Sequence, residues 1–255
     1  MTAIRRFFAD LFGAYLDGIR VAAGLPLLFG AIIVWEFAQH IIEYRLGFYR
    51  DAATARAVSL DEGRMALGWV KMILVYVGGF FAIRYLVLGS ASAALRPSGR
   101  TVLRYLPYVA YSLIVFATIF YAGSFVPTER VMTVRGIVGL TQVAVEPLLM
   151  LWIVSAATDG PIRNPLQSAR VLGWRYVWAL PLYFVGRIPI SVAHQALGRP
   201  GSGHPDALLW PMLLLDLVAV GLLVVIIPAL YVRVARYVGE RTDAPLTPAA
   251  VRHPR

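Results

Sequence analysis

The alternation of apolar runs with polar connections is the strongest pattern in the chain. Six stretches, at about 21–42, 66–88, 105–125, 137–157, 176–195 and 208–231, are apolar enough, and roughly long enough, for a helix to cross the hydrocarbon core of a bilayer. The runs are continuous rather than alternating, which predicts helices and not the strands of a membrane barrel. The pattern therefore predicts an all-α polytopic membrane protein, one six-helix domain over residues 1–240. A proline-bearing tail, 241–255, has the composition of a disordered cytoplasmic segment. Pro26, Pro147, Pro181, Pro189 and Pro228 fall inside the runs and predict kinked helices.

Ahead of the first run, Ile4, Phe7, Phe8, Leu11, Tyr15 and Ile19 recur at helical spacing, with Arg6, Asp10 and Asp17 on the opposite side. This spacing predicts an amphipathic helix that lies on the cytoplasmic leaflet or docks on the bundle. Ser59-Leu-Asp-Glu62 has the spacing of a capping box and puts the start of the second helix near Leu60. Asn164 followed by Pro165 marks another helix start, with Leu166, Ala169 and Leu172 as its apolar stripe.

Composition agrees with this picture and narrows it. The chain is 59% hydrophobic and only 15% charged, with a mean hydropathy of +0.68. Its net charge of +10 does not point to nucleic acid, because no basic patch has a fold of its own. Instead the arginines outside the runs favour one side two to one if both termini are inside, as the positive-inside rule expects of a bacterial inner-membrane protein. The same basic face would attract anionic phospholipid head groups. Arg-Tyr recurs at 84–85, 104–105, 175–176 and 236–237, each time at a predicted cytoplasmic helix edge, and reads as interfacial anchoring. Cysteine is absent, which excludes disulfides, thiolate metal sites and a cysteine nucleophile. No phosphate-binding loop, serine elbow or HExxH helix occurs.

Candidate chemistry is confined to charges inside the runs, where each one is costly. Arg84 can reach the inner interface by snorkelling, which leaves Glu36, Lys71, Glu146, Arg187 and Asp216 as a candidate binding cleft. All but Glu146, which is expected at mid-depth, fall in the outer half. They would line a polar cavity for a lipid head group, with Lys71 and Arg187 reading phosphate, serve as an ion or proton relay, or pair statically. A second set, Glu36, His40 and Glu43, shares one helix face at steps of four and three. With His194 it would make a divalent metal site. The third run has no ionisable carboxylate or base and reads as a packing helix.

Two segments, GGFFAIRYLVLGSASAALRPSGRTVLRYLPY (78–108) and PLLMLWIVSAATDGPIRNPLQSARVLGWRYVWALP (147–181), resemble the YciC-like six-span bacterial inner-membrane proteins and the related membrane domain of some glycerophosphodiester phosphodiesterases. Ser168, Leu172 and Trp174 match the short amphipathic helix of that family loosely, the Ser-to-Leu spacing being one residue longer. The resemblance implies a six-helix fold without an attached hydrolase domain and transfers no catalytic residue. Three functions fit: non-catalytic handling of lipid or an amphipathic solute as a transport component or accessory subunit, a metal-assisted enzyme acting on lipid head groups, and a structural subunit of a membrane complex or homo-oligomer.

Overall fold

A computed structural model describes residues 3–242, and the chain there is helical, with no strand among the described residues. The helices are α1 (Ala3–Gly24), α2 (Pro26–Arg45), α3 (Ala52–Ala57), α4 (Glu62–Leu88), α5 (Ala91–Ala94), α6 (Gly99–Phe120), α7 (Ala122–Phe125), α8 (Thr128–Thr158), α9 (Pro165–Leu172), α10 (Tyr176–Leu197) and α11 (Asp206–Gly239). Six are long and apolar enough to cross a membrane: α2, α4, α6, α8, the α9–α10 segment and α11. The protein is thus a multi-pass membrane protein. The expected tail at 241–255 lies almost wholly outside the described residues.

Helix α11 is the hub. It carries the highest mean hydropathy of the six and packs against α1, α2, α4, α8 and α10, whereas α6 leans mainly on α8. Leu213, Ile226, Leu230, Val232 and Val234 along α11 are fully enclosed. Connections form two ends: residues 46–61, 121–127 and 198–205 at the far end, and residues 89–98 and 159–175 at the end that also carries the termini.

Several boundaries move from their expected places for local reasons. Pro26 does not kink a span; it occupies the first turn of α2, where its missing N–H costs nothing, and separates α2 from α1. Asp61, not Ser59, caps α4 by accepting from the Arg64 amide at 3.0 Å, while the Ser59 hydroxyl turns back to the Arg56 carbonyl. Asn164 caps α9 as expected, accepting from the Gln167 amide at 2.8 Å.

Helix α1 docks on α11 and α10 with its faces reversed from those of a soluble amphipathic helix. Asp10 and Asp17 are buried, and Arg233 Nη2 lies 2.6 Å from Asp17. Ile4, Phe8, Phe12, Leu16 and Ile19 point outward. An acidic face turned in and an apolar face turned out suit surroundings of lipid.

The four Arg-Tyr arginines do not simply project to head groups. Arg84 is buried and donates to the carbonyls of Ala93, Ala94 and Ala157 at 2.8–2.9 Å. Arg104 holds the Gly160 and Ile162 carbonyls, Arg236 that of Leu86, and Arg175 that of Arg241. Each ties one element to carbonyls that a helix end or turn leaves without a partner.

Candidate functional site

The intramembrane charges divide between two chambers. The first, a cavity of about 180 Å³ in the far half, is bounded by α2, α4, α6, α10, α11 and two far-end loops. Steps of four and three residues on α2 bring Glu36, His40 and Glu43 to one face, and all three are buried. Asp216, with 0% exposure, approaches from α11, and Lys71 from α4. Lys71 Nζ lies 2.9 Å from Glu36 Oε2.

Glu43 and Asp216 exchange the roles the sequence suggested. Glu43 accepts from Gln39 and Arg64 on Oε1, each at 3.0 Å, and from the Tyr49 hydroxyl on Oε2 at 2.6 Å. With both oxygens engaged, it is not part of the converging set. Asp216 is: Glu36, His40 and Asp216 each offer one ligand atom, all within 4.8 Å of one another. His194 joins from behind, its Nδ1 2.7 Å from Asp216 Oδ1, rather than beside His40.

The protonation of His40 follows from its neighbours. Its Nδ1 lies 2.9 Å from the Tyr49 hydroxyl, whose single proton goes to Glu43. Burial, with Glu43 alongside, pushes the Tyr49 hydroxyl far above the usual tyrosine range, so it stays protonated. Nδ1 must then carry a hydrogen, and Nε2 faces Asp216 Oδ2 at 3.2 Å and Glu36 Oε1 at 3.8 Å. His40 Nε2 and Asp216 Oδ2 are both buried without a hydrogen bond, close in distance but misaligned for one.

Loop pairing roofs this chamber. The amides of Gly201 and Gly203 donate to the carbonyls of Phe48 and Tyr49 at 2.8 and 2.9 Å, which fixes Tyr49 above His40. Gly201 has a φ of +60°, and a Cβ there would meet the Ala52 backbone nitrogen at 2.6 Å, so only glycine fits. Asp51 caps α3 beneath, and the Thr54 amide and hydroxyl hold its carboxyl down at about 2.

The second chamber, about 310 Å³, lies deeper and is framed by α4, α6, α8, α10 and α11. At its polar end Glu146 Oε1 accepts from the hydroxyls of Tyr108, at 3.0 Å, and Tyr231. Arg187 Nη1 donates to the Tyr183 hydroxyl at 2.7 Å and stands 4.0 Å from Glu146 Oε2. Arg187 thus belongs with Glu146 and not with Glu36 and Asp216. Lys71, Phe116 and His194 line both chambers and form their common wall.

Sequence reasoning missed the tyrosines. Tyr108, on the helix read as packing, is a ligand of the Glu146 carboxylate, and Tyr49 fixes the His40 tautomer; neither sits in a motif that would single it out. Comparison with protein-family models, curated proteins and solved structures gives no match for this chain.

Proposed function

We propose that the protein handles a lipid or another amphipathic solute in the bacterial inner membrane, as a transport component or accessory subunit with both termini cytoplasmic. The observation that carries this reading is the deeper chamber, where the buried Glu146 and the half-buried Arg187 stand at one end of a mainly apolar space of ligand size, with Lys71 and His194 in the wall toward the first chamber. Such a space suits a molecule with one polar end. The six-span order, the basic terminal end and the YciC-like segments support the same reading. The protein extracted with its native lipid should carry about one equivalent of an amphiphile detectable by native mass spectrometry, and Arg187→Ala should lose it. An empty wild-type protein would speak against the proposal.

A second reading rests on the converging atoms of Glu36, His40 and Asp216. Ligands about 2.1 Å from a divalent ion stand roughly 3.0–3.4 Å apart in octahedral or tetrahedral geometry. The 3.2 Å and 3.8 Å separations of His40 Nε2 from its two carboxylates are close to that spacing, and one imidazole with two carboxylates suits a divalent transition metal. The residues fit the ion. Bound there, it would supply a Lewis acid one wall away from the deeper chamber, as a metal-assisted enzyme acting on head groups requires. This chain's own residues do the rest: Tyr49 and Glu43 fix the His40 tautomer, and His194 orients Asp216. Elemental analysis after dialysis should find one equivalent of zinc or manganese, lost in His40→Ala and in Asp216→Asn. Metal content unchanged by both variants would remove this reading and leave the first intact.

A further inference from the structure

We propose that the deeper chamber selects a zwitterion, a primary ammonium close to an acidic oxygen group, carried on an apolar body. This rests on the reading of that chamber as an amphiphile site and names the class of molecule it takes.

Two opposite charges stand side by side there without satisfying each other. Glu146 is buried, and both tyrosine hydrogen bonds fall on Oε1, so Oε2 has no hydrogen-bond donor. Its nearest cation, Arg187, keeps a 4.0 Å separation, at the outer limit of an ion pair. Of the five N–H donors of a guanidinium, Arg187 spends one on Tyr183 among the described residues. Glu146 and Arg187 line the same cavity, so a small side-chain rotation brings the unspent acceptor and the unspent donors to one ligand.

A purely anionic head group would satisfy Arg187 and face the Glu146 carboxylate. A purely cationic one would satisfy Glu146 and face the guanidinium. A zwitterion meets both, its ammonium donating to Glu146 Oε2 and its acidic oxygens accepting from Arg187. The ammonium must carry hydrogens, because Oε2 lacks a donor and a quaternary nitrogen has none to give. Met72, Val75, Val220, Leu223, Val224 and Ile227 form an apolar wall of the chamber and receive the apolar body. An aminophospholipid head group and a free apolar α-amino acid share this chemistry.

The test uses the full chain in nanodiscs of phosphatidylcholine, with phosphatidylethanolamine, its mono- and dimethylated forms, phosphatidylglycerol and free leucine as probes. A charge-assisted hydrogen bond lost on either side should cost about tenfold or more in affinity. Phosphatidylethanolamine should therefore bind at least about tenfold tighter than phosphatidylcholine, with affinity falling as methyl groups replace hydrogens. Glu146→Gln and Arg187→Gln should each weaken binding, while Arg96→Gln, at an exposed residue that lines neither chamber, leaves it unchanged. Tight binding of leucine with no preference among the lipids would assign the free amino acid as the source and still support the zwitterion. Phosphatidylglycerol binding as tightly as phosphatidylethanolamine would keep the amphiphile chamber and overturn the zwitterion. No probe binding at all would overturn both. The methylation series needs no variant, so misfolding of Glu146→Gln cannot rescue the idea.

Discussion

Single side chains decide what the first chamber can hold. The Tyr49 hydroxyl accepts from His40 and donates to Glu43, so it would be the orienting group behind His40 if that imidazole takes the proposed metal. Such partners are worth about 10- to 100-fold in metal affinity. Tyr49→Phe should weaken zinc or manganese binding by that order in a calorimetric titration while leaving the fold intact, and an unchanged affinity would mean His40 is not a ligand. At the opposite end, Asp159 takes a left-handed backbone (φ +57°) and accepts from Arg104 at 2.5 Å. The Arg104 guanidinium holds the Asp159 carboxyl below the usual carboxylate range. A depressed folded-state value means the contribution is complete above the ordinary carboxylate value and fades as pH falls through the depressed one. Asn tolerates the same backbone, so the stability gap between the protein and Asp159→Asn should hold steady above about pH 5 and shrink below about pH 4 in thermal unfolding. At this scale Glu36, Lys71 and Asp216 were legible, because an ionisable residue in an apolar run has few reasons to be there. Tyr49 and Tyr108 were not, because an aromatic in or beside a span is ordinary composition.

Between elements, arginine does the joining. Arg84 connects α4 to α5 and to the last turn of α8 by filling carbonyls that those helix ends leave open. Removing a buried donor strands all of its acceptors, and each carbonyl left without a partner costs about 1–3 kcal/mol. Arg84→Met should lower the unfolding temperature in detergent far more than Arg96→Met, whose side chain is exposed. Equal effects would show that the carbonyl bonds carry little. The sequence placed Arg84 at a helix edge correctly, yet its reach to water or to a neighbouring turn depends on where residues 93, 94 and 157 arrive, which periodicity cannot show. Asp61 outcompeted Ser59 as the α4 cap for the same kind of reason: both fit the local pattern, and the turn of residues 58–61 decided between them. The glycine-rich far-end loop is a third case. Gly201→Ala would force a methyl group into the Ala52 backbone and should loosen the roof, speeding metal release in stopped-flow chelation without changing which residues ligate.

For the molecule as a whole, the number and order of spans followed from apolar run length, since little but a bilayer selects for such runs. The division into two chambers did not, because it depends on rotation of α10 about its axis, which sends Arg187 toward α8 and His194 toward α11. Sidedness is directly testable, since the chain has no cysteine to interfere. Ser92→Cys and Ser124→Cys, exposed at opposite ends, should react with an impermeant maleimide from the cytoplasmic and the external side respectively. The reverse pattern would turn the molecule over and place the Glu36, His40 and Asp216 chamber at the cytoplasmic side.

The reversed faces of α1 carry a consequence for biogenesis. Asp10 and Asp17 have partners of their own helix in Arg6 and Arg20, but the cation that bridges both of them, Arg233, lies on α11, more than two hundred residues later. Until α11 is in place, only Arg6 and Arg20 offset the acidic face of the first helix, and the surface on which it docks is missing. A chain stopped after Leu197 should leave residues 3–24 open to protease, and the complete chain should protect them. The first and the last helix of the described bundle thus lock onto each other, and the docking of α1 reports that α11 is in place.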